Sequence, residues 1–291
     1  MSGQQQDPGQ APPRSSSRLW ILGVVVAAIV IVVVMAEKRR APQTDAPPTS
    51  LLPSPVPDSV MHYLTTIPAT TWEQAGTTNA VPPIFVGTTG ATTGKATVLY
   101  IGALYCPYCA AARWSVITAL SRFGTFAGLT YSASSSQDVY PSSPTFSFFR
   151  STYTSDFVDF QSVELRGAEP LGGSYPALES PTKEQEALIQ KYDAPPYLSP
   201  QAAGGIPFML VGGKYMWSGS PFSPGLLADR SQAAIAATLP AGTDPAARAI
   251  LANANELTAA ICAATGGRPA TTCSSPVVAA AMKSLPATTP R

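Results

Sequence analysis

Residues 96–114 read Ala96-Thr-Val-Leu-Tyr-Ile-Gly-Ala-Leu-Tyr-Cys-Pro-Tyr-Cys-Ala-Ala-Ala-Arg-Trp114. The first nine are short, apolar and partly β-branched, which predicts a buried strand over Ala96–Leu104. Ala110 to Phe123 carries Trp114, Ile117, Leu120 and Ser121 at helical spacing, with Gly124 as a stop signal. Cys106 and Cys109 therefore fall where a buried strand gives way to a helix. Unpaired amides and the positive end of the helix dipole favour a thiolate there. A thiolate is the species that attacks a disulfide, and two intervening residues keep a second sulfur close enough to resolve the mixed product. Pro107 suits a first helical turn, where a missing N–H has no partner to lose.

Downstream, Gly128–Ser132, Thr145–Phe149 and Val158–Leu165 read as strands. Ser180 to Asp193 reads as a helix with Ser180 as N-cap and Pro181 at the first position. Phe208–Val211 and Lys214–Trp217 are strands joined by Gly212-Gly213, a two-residue hairpin signal. Ser223–Ala237 and Asp244–Ala264 read as helices, the second with Asp244 as cap and Pro245 behind it. Upstream, Asp58 or Ser59 is placed to cap a short helix through Leu64.

Pro207 sits awkwardly at the mouth of an apolar strand, because it cannot donate to a ladder. With Ile206 before it and Phe208-Met-Leu-Val211 after it, this segment resembles the thioredoxin superfamily, in which a cis-proline faces the CxxC motif. The resemblance implies a cis Ile206–Pro207 bond and Cys106 and Cys109 as the catalytic pair. It also makes Pro107, Tyr108, Ile206 and Pro207 their supporting residues. The stretch from Asp58 to Pro276 is similar, more narrowly, to the thioredoxin-like family called domain of unknown function 929. That likeness is carried by Tyr105–Trp114, Thr145-Phe-Ser-Phe-Phe149 with Ser151-Thr-Tyr-Thr154, Ile206-Pro-Phe208, and Ala252–Cys262 with Cys273. The expected fold is α/β and thioredoxin-like. Roughly 100 residues separate the motif from Pro207, so a helical or irregular insertion is expected, as in exported DsbA-like oxidases. Thioredoxin has a buried acid in the strand before its motif, and Ala96–Leu104 has none. Arg113, a turn beyond Cys109, is placed where it could support thiolate charge, but it is read as facing solvent.

The chain has four cysteines in two local pairs, a count that suits an oxidising compartment. Cys262 and Cys273 enclose ten residues with Gly266, Gly267 and Pro269. They read as a structural disulfide pinning the end of the last long helix. A redox relay to Cys106/Cys109 and a four-cysteine zinc site are the alternatives, and the spacing is poor for zinc.

Leu19 to Ala36 is an apolar run of eighteen residues without a charge. As a helix it spans about 27 Å, close to the hydrocarbon core of a bilayer. A cleaved signal peptide is the rival reading, with Val34-Met35-Ala36 as its site. The run exceeds an ordinary h-region, however, and Glu37-Lys38-Arg39-Arg40 follows at once. The expected organisation is a cytoplasmic tail over 1–18, an uncleaved transmembrane anchor over 19–36, a Pro-rich stalk over 37–57, and a thioredoxin-like domain with a C-terminal helical extension over 58–291. Basic residues flank both ends of the run, so the paired cysteines, more than the positive-inside rule, put the domain outside the cytoplasm.

Only 12% of the 291 residues are charged, and the formal net charge is +1. From Ala41 onward 13 Lys/Arg face 15 Asp/Glu, which leaves no electrostatic footprint for nucleic acid. His62 is the single histidine and reads as a surface residue, so His-based catalysis and multi-His metal sites are set aside. Gly87 to Gly94 is Gly-rich but matches no phosphate loop. The expectation is a membrane-anchored extracytoplasmic thiol–disulfide oxidoreductase acting on protein thiols and disulfides with an unknown redox partner, without cofactor or metal. The alternatives are a non-catalytic scaffold in which the motif is a structural clip, and a Cu(I)-binding thiol metallochaperone.

Overall fold

The computed structural model describes residues 54–78, 81–87 and 94–289. The expected tail, anchor and nearly all of the stalk lie outside the described residues, as does most of the Gly87–Gly94 loop. The described residues all belong to one compact unit. Among the described residues no helix is long and apolar enough to cross a membrane.

The architecture is mixed α/β. Its central sheet contains β1 (Ile84–Phe85), β2 (Ala96–Gly102), β7 (Val158–Glu164), β8 (Phe208–Val211) and β9 (Tyr215–Ser218) in the order β1-β9-β8-β2-β7. β2 runs parallel to β7 and antiparallel to β8, and the β8–β9 and β1–β9 pairs are antiparallel. Side chains alternate across a pleated strand, and the core divides accordingly. Val98, Tyr100, Met209, Val211 and Trp217 enter one apolar cluster, while Leu99, Ile101, Phe208, Leu210 and Met216 enter the other. The first lies under α3 (Pro107–Leu120) and α6 (Pro245–Ala264), which pack on each other. The second includes Tyr192 at the end of α4 (Lys183–Tyr192).

Helix α3 is buried from Cys109 through Leu120, so it has no solvent face, only walls of different neighbours. Trp114 is fully buried and donates to Pro144 O at 2.9 Å. The stretch between α3 and β7 is β-structured, not helical. It holds β3 (Gly124–Ala127) paired with β6 (Thr152–Ser155), and β4 (Thr130–Ala133) paired with β5 (Pro144–Ser147). Gly124 opens a strand instead of terminating the helix. A side chain there would run into Thr154 O, so close backbone approach is what the position requires.

Other boundaries shift for local reasons. Pro57, not Asp58 or Ser59, precedes α1 (Asp58–Thr65), and no side chain caps it. Pro55 bridges Thr130, and Val56 N donates to Leu129 O at 3.0 Å. Residues 54–57, read as stalk from their prolines, are therefore already part of the folded body. Helix α4 starts later than Ser180-Pro181 because Thr182 and Gln185 form a reciprocal capping box. Ser223–Ala237 breaks into a 3₁₀ turn (Pro224–Leu227) and α5 (Gln232–Ala236), separated by Asp229 at φ 58°. The 212–213 hairpin is as expected: both glycines have positive φ, the requirement of a tight two-residue turn.

The C-terminal extension is helical. Asp244 caps α6 by accepting from Ala246 N and Ala247 N. Two shorter helices follow, α7 (Ala270–Cys273) and α8 (Pro276–Ser284). Cys262 and Cys273 are disulfide-bonded and tie α6 to α7.

Candidate functional site

Cys106 is the N-cap of α3, with Pro107 in the first turn. Its backbone is extended (φ −76°, ψ 121°), and its Sγ accepts the Cys109 N–H at 3.3 Å. A sulfur thus does what an oxygen does in a Ser or Thr cap, at the end of the helix that favours negative charge. The Ile206–Pro207 bond is cis. It brings Ile206 O to 3.8 Å from Cys106 Sγ, across a separation of 100 residues. Cys106, Cys109, Pro107, Tyr108, Ile206 and Pro207 are therefore gathered at one end of the sheet, whereas Cys262 and Cys273 sit in their own disulfide.

The two thiols are not equivalent. Cys106 is 5% exposed and Cys109 is fully buried. A side-chain hydrogen bond from Cys109 does most to lower the pKa of Cys106 and favour its thiolate, and it wins over burial with help from the Cys109 and Tyr108 amides and the nearby Arg113 charge. Burial pushes Cys109 well up, and the hydrogen bond it gives to Cys106 adds to that. The two buried thiols are thus unequal: Cys106 is the more readily ionised and Cys109 the less.

Aromatic rings frame the motif. Tyr105 stacks on Tyr175 at 4.3 Å between centroids. Tyr108 is 41% exposed and meets Tyr140 edge-on at 6.0 Å. Tyr140 and Tyr175 have no local sequence signal, because both come from loops far along the chain.

Arg113 corrects the sequence reading most sharply. It is fully buried, not solvent-facing. Its Nε and Nη2 donate to the two carboxylate oxygens of Glu164 at 2.8 and 2.7 Å, and Nη2 also donates to Ala103 O at 2.8 Å. Glu164 closes β7 in register with Gly102 at the end of β2. It is itself fully buried and also accepts from Phe148 N at 3.3 Å. β2, which has no acid, thus lies beside a strand whose buried acid is paired to a cation on the motif's own helix. One signal was present in the sequence: Arg113 is the sole charged residue among Pro107–Leu120.

His62 is exposed on α1. A cavity of about 660 Å³, lined by Leu99, Leu188 and Leu210 among others, includes neither thiol. Among the described residues no group of three or more His, Cys, Asp or Glu side chains is placed to hold a metal.

Fold and site together define a mixed α/β domain with an asymmetric dithiol at a strand-to-helix junction. Residues 86–169 match the model of the family described as Domain of unknown function (DUF929). The matched segment holds Cys106, Cys109, Arg113 and Glu164 but stops short of Ile206-Pro207 and of Cys262 and Cys273. No curated protein and no solved structure matches the chain significantly.

Proposed function

We propose that this body is a thioredoxin-like domain that exchanges thiols and disulfides through Cys106 and Cys109. The observation that carries the reading is the capping sulfur of Cys106, held between the N-terminal amides of α3 and the carbonyl of Ile206. The strand order β9-β8-β2-β7, with β7 parallel to β2, β8 antiparallel to β2 and β9 antiparallel to β8, supports it, because a thioredoxin-like core has that arrangement. In the forward direction the Cys106 thiolate attacks one sulfur of a substrate disulfide, forming a Cys106–substrate disulfide and releasing the other sulfur as a thiolate. Cys109 then loses its proton and attacks Cys106 Sγ. The substrate leaves as a dithiol carrying two electrons, and the domain is left with a Cys106–Cys109 disulfide. A separate redox partner resets the pair. With Leu19–Ala36 as an anchor, the domain works on protein thiols and disulfides at the outer face of the cell membrane.

The test is Cys109→Ser in the full chain, mixed with an oxidised model peptide. A mixed disulfide through Cys106 should accumulate, and Cys106→Ser should abolish it. Absence of any adduct would sink the reading.

One observation favours a second reading, a binding or scaffold domain with the motif as an inert clip: Cys106 is only 5% exposed. That reading predicts a Cys106–Cys109 disulfide that survives mild dithiothreitol in the folded chain, whereas an exchange centre is reduced under the same conditions.

A further inference from the structure

A fully buried ion pair, Arg113 with Glu164, lies beneath the motif, and stability alone does not call for one. Replacing a buried pair by apolar residues of similar volume is often neutral or stabilising. Here the pair sits at the one place where a fixed charge reaches both thiols. Arg113 lies one helical turn beyond Cys109, so the two side chains share a face of α3. Its guanidinium donates to Ala103 O, the same carbonyl that accepts the Cys106 N–H at 3.3 Å. The turn carrying the nucleophile is thereby tied to the cation. Glu164 grips Nε and Nη2 in a fork, and Nη1 has no hydrogen-bond partner among the described residues. The Tyr100 ring lies 5.8 Å from the guanidinium, with its buried hydroxyl likewise unpartnered.

We propose that Arg113 and Glu164 are the positioning pair of the Cys106/Cys109 centre: Arg113 holds a positive charge against the thiols, and Glu164 fixes its place and limits how much of it they feel. The proposal rests on the exchange reading above for its purpose, but not for its test. Arg113 favours the charged form of Cys106, after the Cys109 hydrogen bonds, and of Cys109 as well. Burial opposes the charge on Arg113, and Glu164 more than restores it. The charged and titratable groups around the sulfurs are few. Tyr108 and Arg113 come from α3, Tyr100 from β2, Tyr105 from the preceding turn and Glu164 from β7, with Glu179 behind it accepting from Glu164 N. The Ile206–Pro207 loop presents only a carbonyl to Cys106. Arg113 is the single cation of this set.

The experiment uses the full chain with Cys109→Ser, in which Cys106 is the one free thiol. Iodoacetamide alkylation is followed against pH for the parent, Glu164→Gln, Arg113→Gln and the Glu164→Gln/Arg113→Gln double variant, with circular dichroism to verify folding. An uncompensated cation should move the alkylation midpoint of Glu164→Gln down by about one pH unit, and its loss should move that of Arg113→Gln up by about one. The neutral double variant should have a higher midpoint than Glu164→Gln and so alkylate about tenfold more slowly, or slower still, at a pH below both midpoints. If Arg113→Gln does not fold, the comparison of Glu164→Gln with the double variant decides alone. A merely structural pair would shift all variants the same way or none of them, and either result overturns the proposal. Opposite shifts without any mixed disulfide would leave the positioning role standing and defeat the exchange reading instead. Mixed disulfides without opposite shifts would do the reverse.

Discussion

The Cys262–Cys273 disulfide offers a prediction whose size follows from the chain itself. The bond closes a loop with a sequence separation of 11. Loop closure in the unfolded chain then contributes about 3 kcal/mol of stability at 25 °C by the chain-entropy relation. Little else is lost if both cysteines become alanine. Cys262 is fully buried and Cys273 nearly so, but the segment between them is held independently, by Gly267 N on Cys262 O at 2.8 Å and Thr265 Oγ1 on Arg268 O at 2.6 Å. Val278 of α8 stays buried against the core. The entropic effect should therefore dominate the small cavity left by two sulfurs. For a folded unit of about 240 residues, 3 kcal/mol corresponds to a fall in Tm of about 6 °C. Scanning calorimetry of Cys262→Ala/Cys273→Ala against the parent measures it. A non-thiol reductant should lower the parent toward the variant and leave the variant unmoved. A variant melting within a degree of the parent would refute the reasoning, because the loop would then be as restrained in the unfolded chain without the bond as with it.

Asp244→Ala should destabilise the protein by about 1 kcal/mol in urea unfolding at neutral pH, since it removes the cap of α6 at Ala246 N and Ala247 N together with the partly exposed Arg230 pair at 2.9 Å. Burial opposes ionisation of Asp244, but Arg230 and the two amides win and hold its carboxyl below its ordinary value. That contribution is present above the unfolded carboxylate pKa of about 4 and is lost as pH falls through the lower folded value. The gap between parent and variant should therefore close in acid, and a constant gap would contradict the assignment. Cys106 in the parent should alkylate with a midpoint below the ordinary thiol value of about 8.5, because the Cys109 hydrogen bond and the α3 amides favour its thiolate. A midpoint above that value would show that burial outweighs them.

What could be read from the sequence was local. Strand β2, helix α3, the 212–213 hairpin and the Asp244 cap each announce themselves within a few residues, through β-branched runs, paired glycines or a Ser/Asp-Pro start. Cys106 and Cys109 were legible for the same reason, since their meaning lies in the strand-to-helix junction that holds them. Gly124 was misread because a stop signal and a close-approach glycine look alike until Thr154 is brought alongside. Ser180-Pro181 was misread because two capping signals stood two residues apart, and the reciprocal Thr182–Gln185 bonds decided between them.

Arg113 was misplaced for a deeper reason. A lone arginine on a helix belongs to solvent unless an acid meets it inside, and the acid here is 51 residues away. Only the parallel register of β2 with β7, which sets Gly102 beside Glu164, makes that meeting possible. The same register lets β2 carry no charged residue while a buried cation–carboxylate pair lies beside its end. The buried charges sit instead on the adjacent strand, at Glu164, and on α3, at Arg113. The fold thereby leaves the motif's own strand free to be buried on both faces, with Tyr100 fully enclosed on one side and Leu99 and Ile101 on the other.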